Sequence, residues 1–227
     1  MFRDAVLVAG KDLRVEARSK VTTNQVVPLA FLVLVLFAFA LDPDTGILTR
    51  ATAGLYWIAV LFAGLLALQR AFAIETADAN RDAIRLSGLD GAAVFLGKAA
   101  AVATQLLMLE ALLLAGVFVL YGTEIEGALL PAGVLLAVTC LAATAGLAAA
   151  GTLYAALAAG LRVRETLLPL LLLPVVAPVL IGASRAFESA LQGVPAEGWA
   201  WIGLLAVFAA VYTALGVLGF GTLLEES

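Results

Sequence analysis

The chain has 227 residues, of which 63% are hydrophobic and 13% charged, and its mean hydropathy is +1.08. A soluble domain is nearer half apolar and a quarter charged, so this composition predicts an all-α polytopic membrane protein, organised as one transmembrane domain over residues 1–227. The formal charge of −4 argues against a nucleic-acid partner, and the absence of histidine with only one cysteine excludes a Cys/His metal site and a disulfide framework within the chain.

Residues 1–22 predict an amphipathic helix that lies along the cytoplasmic membrane surface. Apolar residues recur on one helical face from Phe2 to Val21, while charged residues occupy the other faces. Those charged residues include Arg14, Glu16 and Arg18. The alternative is a basic anchor whose only role is to orient the chain.

Six apolar runs are each long enough to cross the hydrocarbon core as a helix. Their predicted limits are 24–41, 51–74, 99–121, 129–159, 165–183 and 200–222. Eleven of the thirteen basic residues fall on one side of these spans, and only Arg50 and Arg185 fall on the other. Because basic residues are enriched on the cytoplasmic side, both termini are predicted to face the cytoplasm, and Trp57, Tyr121, Trp199 and Trp201 are expected at the outer boundary.

The longest polar segment, residues 75–98, joins the second and third spans on the cytoplasmic side. Its charges have mixed signs and are carried in part by Glu75, Asp78, Arg81, Asp82 and Arg85. A short helix over 78–86 would present them to a soluble partner; the alternative is a solvated loop.

The third span carries an amide and a carboxyl group, on Gln105 and Glu110. A carboxyl at this depth is costly, so Glu110 is a candidate functional residue. It either lines a polar path or bridges two helices as a neutral hydrogen-bonding group. In the fourth span, Gly133, Gly146 and Gly151 predict a surface for close helix contact.

The fifth span carries Pro169, Pro174 and Pro178. Each proline removes one helix hydrogen bond, and because Pro174 and Pro178 are about one turn apart, their distortions fall on the same face. A kink is therefore predicted. The residues that follow, 184–199, are predicted to form a periplasmic segment in which Arg185 and Glu188 contact a partner.

No phosphate-binding loop of the form G-x-x-x-x-G-K-[ST] occurs. The nearest string, which runs from Gly91 to Ala99, has one residue too many and alanine in place of the hydroxyl. The chain is therefore predicted not to hydrolyse ATP itself. Because it has no histidine, it also offers neither an H-E-x-x-H site nor a Ser-His pair, and it is predicted to be a non-catalytic membrane subunit with ATP hydrolysis in a partner chain.

Three blocks together give a resemblance to the CcmB family, the membrane subunits of the ABC transporter of cytochrome c maturation. They are the basic entry helix Leu13–Ser19, the block Leu65–Phe72, and the proline-rich Leu168–Ala183. The sequence departs from the family's pattern at Glu75, where the family often has aspartate, and at Ala79, where it often has glycine.

The resemblance implies an ABC-2-type permease fold in the bacterial inner membrane. It also implies a CcmA-like ATPase, a second copy of the chain, CcmC-like and CcmD-like subunits, and a CcmE-like haem chaperone as partners. ATP would be bound by the ATPase and haem handled by the complex, with no cofactor bound by this chain. Loop 75–98 would then dock on the ATPase and drive haem export or chaperone release through the second and fifth spans. The alternatives are a permease for a lipid, drug or polysaccharide, and a non-transporting assembly scaffold.

Overall fold

The computed structural model describes residues 1–20, 22–41, 46–77, 89–159 and 164–226, with side chains described except at 22–23, 73–77, 159, 164–165 and 224–226. Within these ranges the chain forms seven α-helices, one π-helical turn and no strand. The helices are α1 Phe2–Ser19, α2 Val27–Ala40, α3 Ile47–Ala77, α4 Gly91–Leu120, α5 Leu129–Ala159, α6 Arg164–Leu191 and α7 Pro195–Glu226, and the π-helical turn is Thr22–Val26. The predicted all-α polytopic architecture is confirmed.

Five helices of the described part, α3 to α7, are long and apolar enough to cross a membrane. The count rises to six if the helix pair Phe2–Ser19 and Asn24–Ala40, bent by 58° at the break between them, is taken as one span. The predicted first span, 24–41, corresponds to most of the π-helical turn and α2. Pro28 lies in the first turn of α2, where a backbone N–H has no acceptor within that helix, so the proline removes no hydrogen bond of α2.

Helices α4 and α6 extend furthest beyond the apolar runs that predicted them, and polar side chains interact at both extended ends. Helix α4 begins at Gly91, before the predicted start at 99, and Asp90 caps it by accepting a hydrogen bond of 3.1 Å from the Ala92 N–H. Helix α6 continues from the predicted end at 183 to Leu191. Its last turns carry an Arg185–Glu188 ion pair at i, i+3 spacing.

The core lies where α5 packs against α4, α6 and α7, with α3 packed on α4, α5 and α6. Small residues of α5 permit this approach: a Cβ at Gly146 would lie 3.0 Å from Phe208, and one at Gly151 would overlap Leu68. The predicted small-residue surface is thus confirmed at these two positions. It is wrong at Gly133, where a Cβ would meet nothing within 4 Å.

The predicted aromatic belt is wrong for Trp57, which is 1% exposed and packs edge-on against Tyr56 with ring centroids 5.4 Å apart. Trp199 is exposed. Tyr121, just beyond α4, is buried and donates a hydrogen bond of 3.1 Å to the Leu34 carbonyl of α2.

Candidate functional site

A buried ion pair joins α1 to α4. Lys98 of α4 is 2% exposed, and its Nζ lies 3.3 Å from Asp12 Oδ2 of α1 and 5.1 Å from the ring centroid of Phe72 on α3. The other carboxylate oxygen of Asp12 lies 3.1 Å from Lys11 Nζ. A buried ammonium is costly without a partner, so this arrangement holds α1 in one position against the bundle.

Gly97 allows the two helix backbones to come close enough for this pair. A Cβ at Gly97 would lie 2.6 Å from Val8 Cβ and 2.7 Å from the Ala5 carbonyl oxygen. Such distances leave no room for a side chain, so glycine is required by close approach. We call the set Val8, Asp12, Gly97 and Lys98 the α1–α4 clamp.

Helix α1 uses different faces for the bundle and for its surroundings. Ala5 and Val8 pack towards α4, whereas Phe2 is 84% exposed and Val6 is also exposed on the predicted apolar face. That face remains available to a membrane surface. The interfacial position of α1 itself stays a prediction.

The structure places the three predicted interfacial residues on different parts of α1. Arg14 is exposed, and its Nε donates a hydrogen bond of 2.9 Å to the Gly10 carbonyl oxygen. Arg18 is exposed in the last turn. Glu16 lines a cavity between α1, α3 and α4.

Further along α4, Glu110 lies in a buried polar cluster. Its Oε1 accepts a hydrogen bond from the Thr144 hydroxyl of α5, and its backbone carbonyl accepts one of 3.1 Å from the Tyr56 hydroxyl of α3. The Tyr56 hydroxyl also lies 3.7 Å from Cys140 Sγ on α5. Oε2 of Glu110 is buried and has no hydrogen-bond partner among the described residues.

This cluster forms a junction of four helices. The ring of Tyr56 stacks on Phe187 of α6 with centroids 4.8 Å apart, which adds α6 to the contacts among α3, α4 and α5. We call Tyr56, Glu110, Cys140, Thr144 and Phe187 the four-helix junction. The hydrogen bonds favour the helix-bridging alternative for Glu110. Gln105, which the sequence grouped with Glu110, instead lines the cavity beside α1.

The three prolines lie within one uninterrupted helix, α6. Pro174 and Pro178 are exposed and Pro169 is half-buried. The kink stays a prediction. Beyond them, Arg185 Nη1 lies 3.1 Å from Glu188 Oε2, so the two residues predicted to contact a partner pair with each other in this structure, and Arg185 remains largely exposed.

The predicted docking loop falls mostly outside the described residues. Asp78, Arg81, Asp82 and Arg85 belong to that part of the chain, and Glu75 lies in α3 with its side chain undescribed. Docking of an ATPase on this loop therefore stays a prediction. The structure does define both flanks, since α3 ends at Ala77 and α4 begins at Gly91.

Sequence reasoning missed the roles of Lys98 and of the α5 residues. Lys98 is the last residue of the polar segment predicted over 75–98, although its neighbours from Ala92 to Phe95 and from Ala101 to Val102 are apolar, which favours a helix interior. Cys140 and Thr144 are spaced i, i+4 within an apolar span, so they lie on one helical face. That spacing could have indicated a partner for Glu110.

Comparison with known proteins gives a consistent result over nearly the whole chain. The family model described as "CcmB protein" matches residues 3–227. "Heme exporter protein B" of Pseudomonas aeruginosa is 32% identical over 84% of this chain and 84% of its own length. "Heme exporter protein B" of Rhodobacter capsulatus is 33% identical, covering 82% of this chain and 84% of the relative. "Heme exporter protein B" of Haemophilus influenzae is 33% identical over 75% of this chain and 76% of its own length.

Proposed function

Because the chain belongs to the CcmB family, we propose that it is the permease subunit of an ABC transporter that couples ATP hydrolysis in a CcmA-like subunit to haem export or to release of a haem-loaded chaperone. The name of its relatives, heme exporter protein B, favours haem over a lipid, drug or polysaccharide as the cargo of the system. ATP hydrolysis is assigned to the partner chain. Haem is assigned to the complex as a whole, and no residue of this chain is assigned as a haem ligand.

The main observation in favour of a coupling role is the α1–α4 clamp. Lys98 and Gly97 lie in the first turns of α4, directly after the polar loop proposed to dock the ATPase. A displacement of the loop that moves the start of α4 would therefore carry α1 with it. Helix α1 and the first turns of α4 would therefore move together.

The four-helix junction extends this path into the membrane. Glu110 lies twelve residues after Lys98 on the same helix, about 18 Å at 1.5 Å per residue. There, contacts through Tyr56 and Phe187 join α4 to α3 and α6. A contiguous chain of contacts thus leads from the loop to the proline-bearing helix, and α6 would relay the movement to the opposite face.

The proposed complex contains two copies of this chain with CcmA-like, CcmC-like and CcmD-like subunits, and it acts on a CcmE-like haem chaperone. Its site is the bacterial inner membrane, with both termini of this chain in the cytoplasm. A count of six spans, which takes the bent pair Phe2–Ser19 and Asn24–Ala40 as one span, supports that orientation, because an even number of crossings returns the chain to its starting side.

Charge reversal in the loop tests the docking step. The double variant Arg81→Glu/Arg85→Glu is expected to abolish co-purification of the ATPase subunit with this chain. The matched control Arg50→Glu/Arg185→Glu reverses two charges predicted to lie on the other side of the membrane and should retain the ATPase. Retained binding in the loop variant would refute the docking assignment.

A further inference from the structure

Helix α7 meets the first residue of α4 in a contact that the coupling path described above does not use. A Cβ at Gly91 would lie 2.5 Å from Gly221 Cα and 2.8 Å from Gly221 N, so the two backbones lie too close for a side chain at position 91. Gly91 opens α4, directly after the polar loop proposed to dock the ATPase. The last turns of α7 therefore lie against the part of α4 that the loop would move.

One turn further into α4, aromatic packing adds to this contact. Phe95 and Phe220 are both buried, and their ring centroids lie 5.6 Å apart. A Cβ at Gly216 would overlap the ring of Phe95, so that ring occupies the space that a side chain at position 216 would need. We call Gly91, Phe95, Gly216, Phe220 and Gly221 the α4–α7 lock.

The other end of α7 packs closely on α5 and α6. A Cβ at Gly198 would overlap Leu135 of α5 and would lie 3.3 Å from the Ala186 carbonyl oxygen of α6. A Cβ at Gly182 of α6 would lie 3.0 Å from the Leu204 side chain of α7. Because Ala186 and Gly198 both belong to the segment predicted to be periplasmic, α7 is held at this face of the membrane as well as at the start of α4.

Helix α7 joins these two sets of contacts without interruption. It is continuous from Pro195 to Glu226, and its one proline is its first residue, where no hydrogen bond within the helix is lost. Gly198 and Gly216 are separated by about 27 Å at 1.5 Å per residue, which is close to the roughly 30 Å of hydrocarbon in a bilayer. Helix α6, in contrast, has three prolines within it. Helix α7 thus links the two predicted membrane faces with no proline between its contacts.

We propose that α7 is a second transmission element, which carries movement of the first turn of α4 to the predicted periplasmic end of α6. Gly216 and Gly198 are its positioning residues, because each allows the close contact at one end of the helix. Closely packed groups are only slightly compressible, so a displacement of one is passed to the other. The inference rests on the proposed coupling function and adds a route that bypasses the four-helix junction and the prolines of α6.

Alanine substitution tests the α4–α7 lock in the reconstituted complex. Gly216→Ala introduces a Cβ that collides with Phe95, whereas the control Gly219→Ala, on the same helix, introduces one that meets nothing within 4 Å. The measured quantity is the number of haem-loaded chaperones released per ATP hydrolysed. We expect this ratio to fall about fivefold in Gly216→Ala and to stay unchanged in Gly219→Ala. A purely structural role would lower hydrolysis and release together and leave the ratio unchanged, and that result would overturn the proposal.

Two further variants decide the matter if Gly216→Ala does not assemble. Phe95→Leu loosens the lock without adding volume. Gly198→Ala disturbs the contact at the other end of α7, and Gly203→Ala is its control, because a Cβ there meets nothing within 4 Å. Phe95→Leu and Gly198→Ala are each expected to lower the ratio of release to hydrolysis about threefold or more. A native ratio in both variants would refute the transmission role of α7.

The native complex distinguishes failure of this inference from failure of the proposed function. If chaperone release by the native complex does not depend on ATP hydrolysis, the coupling function is refuted, and the role of α7 with it. If release by the native complex depends on hydrolysis but the α7 variants keep the native ratio, only the role of α7 is refuted, and coupling through the four-helix junction stands.

Discussion

At the scale of single residues, Lys98 and Glu110 are both buried on α4 but have different neighbours. Lys98 faces the carboxylate of Asp12 and the ring of Phe72, so its charge is compensated. Glu110 faces the hydroxyl of Thr144, and no cation lies within salt-bridge distance of it among the described residues. Lys98 therefore holds two helices by charge, whereas Glu110 holds its neighbours by hydrogen bonds.

Removing Asp12 should destabilise the protein more than removing Lys11. Asp12→Ala takes from the buried Lys98 a carboxylate partner at 3.3 Å, and breaking a buried pair of this kind costs about 3 kcal/mol. Lys11→Met, which breaks the half-exposed ion pair with the same carboxylate, should cost at most about 1 kcal/mol. Thermal unfolding in detergent micelles measures both. Equal losses in the two variants would contradict the structural role of the buried pair.

Substitutions at Glu110 distinguish a helix-bridging role of this residue from a role in a polar path for substrate or protons. Glu110→Gln keeps an oxygen that accepts from Thr144 and should retain stability and export. Glu110→Ala leaves that hydroxyl unpaired beside a cavity and should lose about 2–3 kcal/mol. Met108→Ala, at an exposed position of the same helix, is the control. Abolished export in a Glu110→Gln variant of normal stability would instead assign a polar path to this residue.

At the scale of helices, hydrophobicity predicts the middle of each element and polar side chains decide its ends. The apolar run of α5 predicted its limits, 129–159, because charged residues, Glu126 and Arg162, lie three positions beyond each end. For α4 the true start depends on the Asp90 cap, which lies outside the apolar run. The clamp could not be read from the sequence at all, since Asp12 and Lys98 are 86 residues apart and only tertiary packing brings them together.

Replacing Gly97 should separate α1 from the bundle. The Cβ of Gly97→Ala would collide with Val8 and with the backbone of Ala5, and overpacking of this kind costs about 1–3 kcal/mol. Tryptic cleavage in α1, at Arg14 and Arg18, should accelerate. Gly133→Ala is the matched control, because a Cβ there meets nothing within 4 Å and should be neutral or stabilising by up to about 1 kcal/mol. Unchanged proteolysis in Gly97→Ala would contradict the close packing.

The prolines of α6 give a second prediction for a whole helix. Pro174→Ala/Pro178→Ala restores two helix hydrogen bonds, so thermal stability should hold or rise. If the predicted bend serves movement, release of haem-loaded chaperone should fall several-fold. Leu170→Ala/Ile181→Ala, which changes two exposed side chains of the same helix and leaves the prolines in place, is the control. Full activity of the proline variant would show that the bend is dispensable.

At the scale of the molecule, the two contact sets on α4 make one continuous path. The clamp joins α1 to the start of α4, and the four-helix junction joins α4 to α3, α5 and α6. Composition and span positions predicted the bundle that contains this path. They could not predict which helices share it, because the choice depends on side chains such as Tyr56 and Phe187 that look like ordinary core residues in the sequence.

The central claim is that the clamp transmits ATP-driven movement from the cytoplasmic side into the membrane. The most direct measurement compares ATP hydrolysis with release of haem-loaded chaperone by the reconstituted complex, for the native chain, for Asp12→Ala and for the control Lys11→Ala. We expect the Asp12→Ala complex to retain the bound ATPase and its rate of ATP hydrolysis but to release haem-loaded chaperone about tenfold more slowly. In the Lys11→Ala complex both rates should be unchanged. Undiminished release by Asp12→Ala, or release of loaded chaperone by a complex whose ATPase is inactive, would contradict the account.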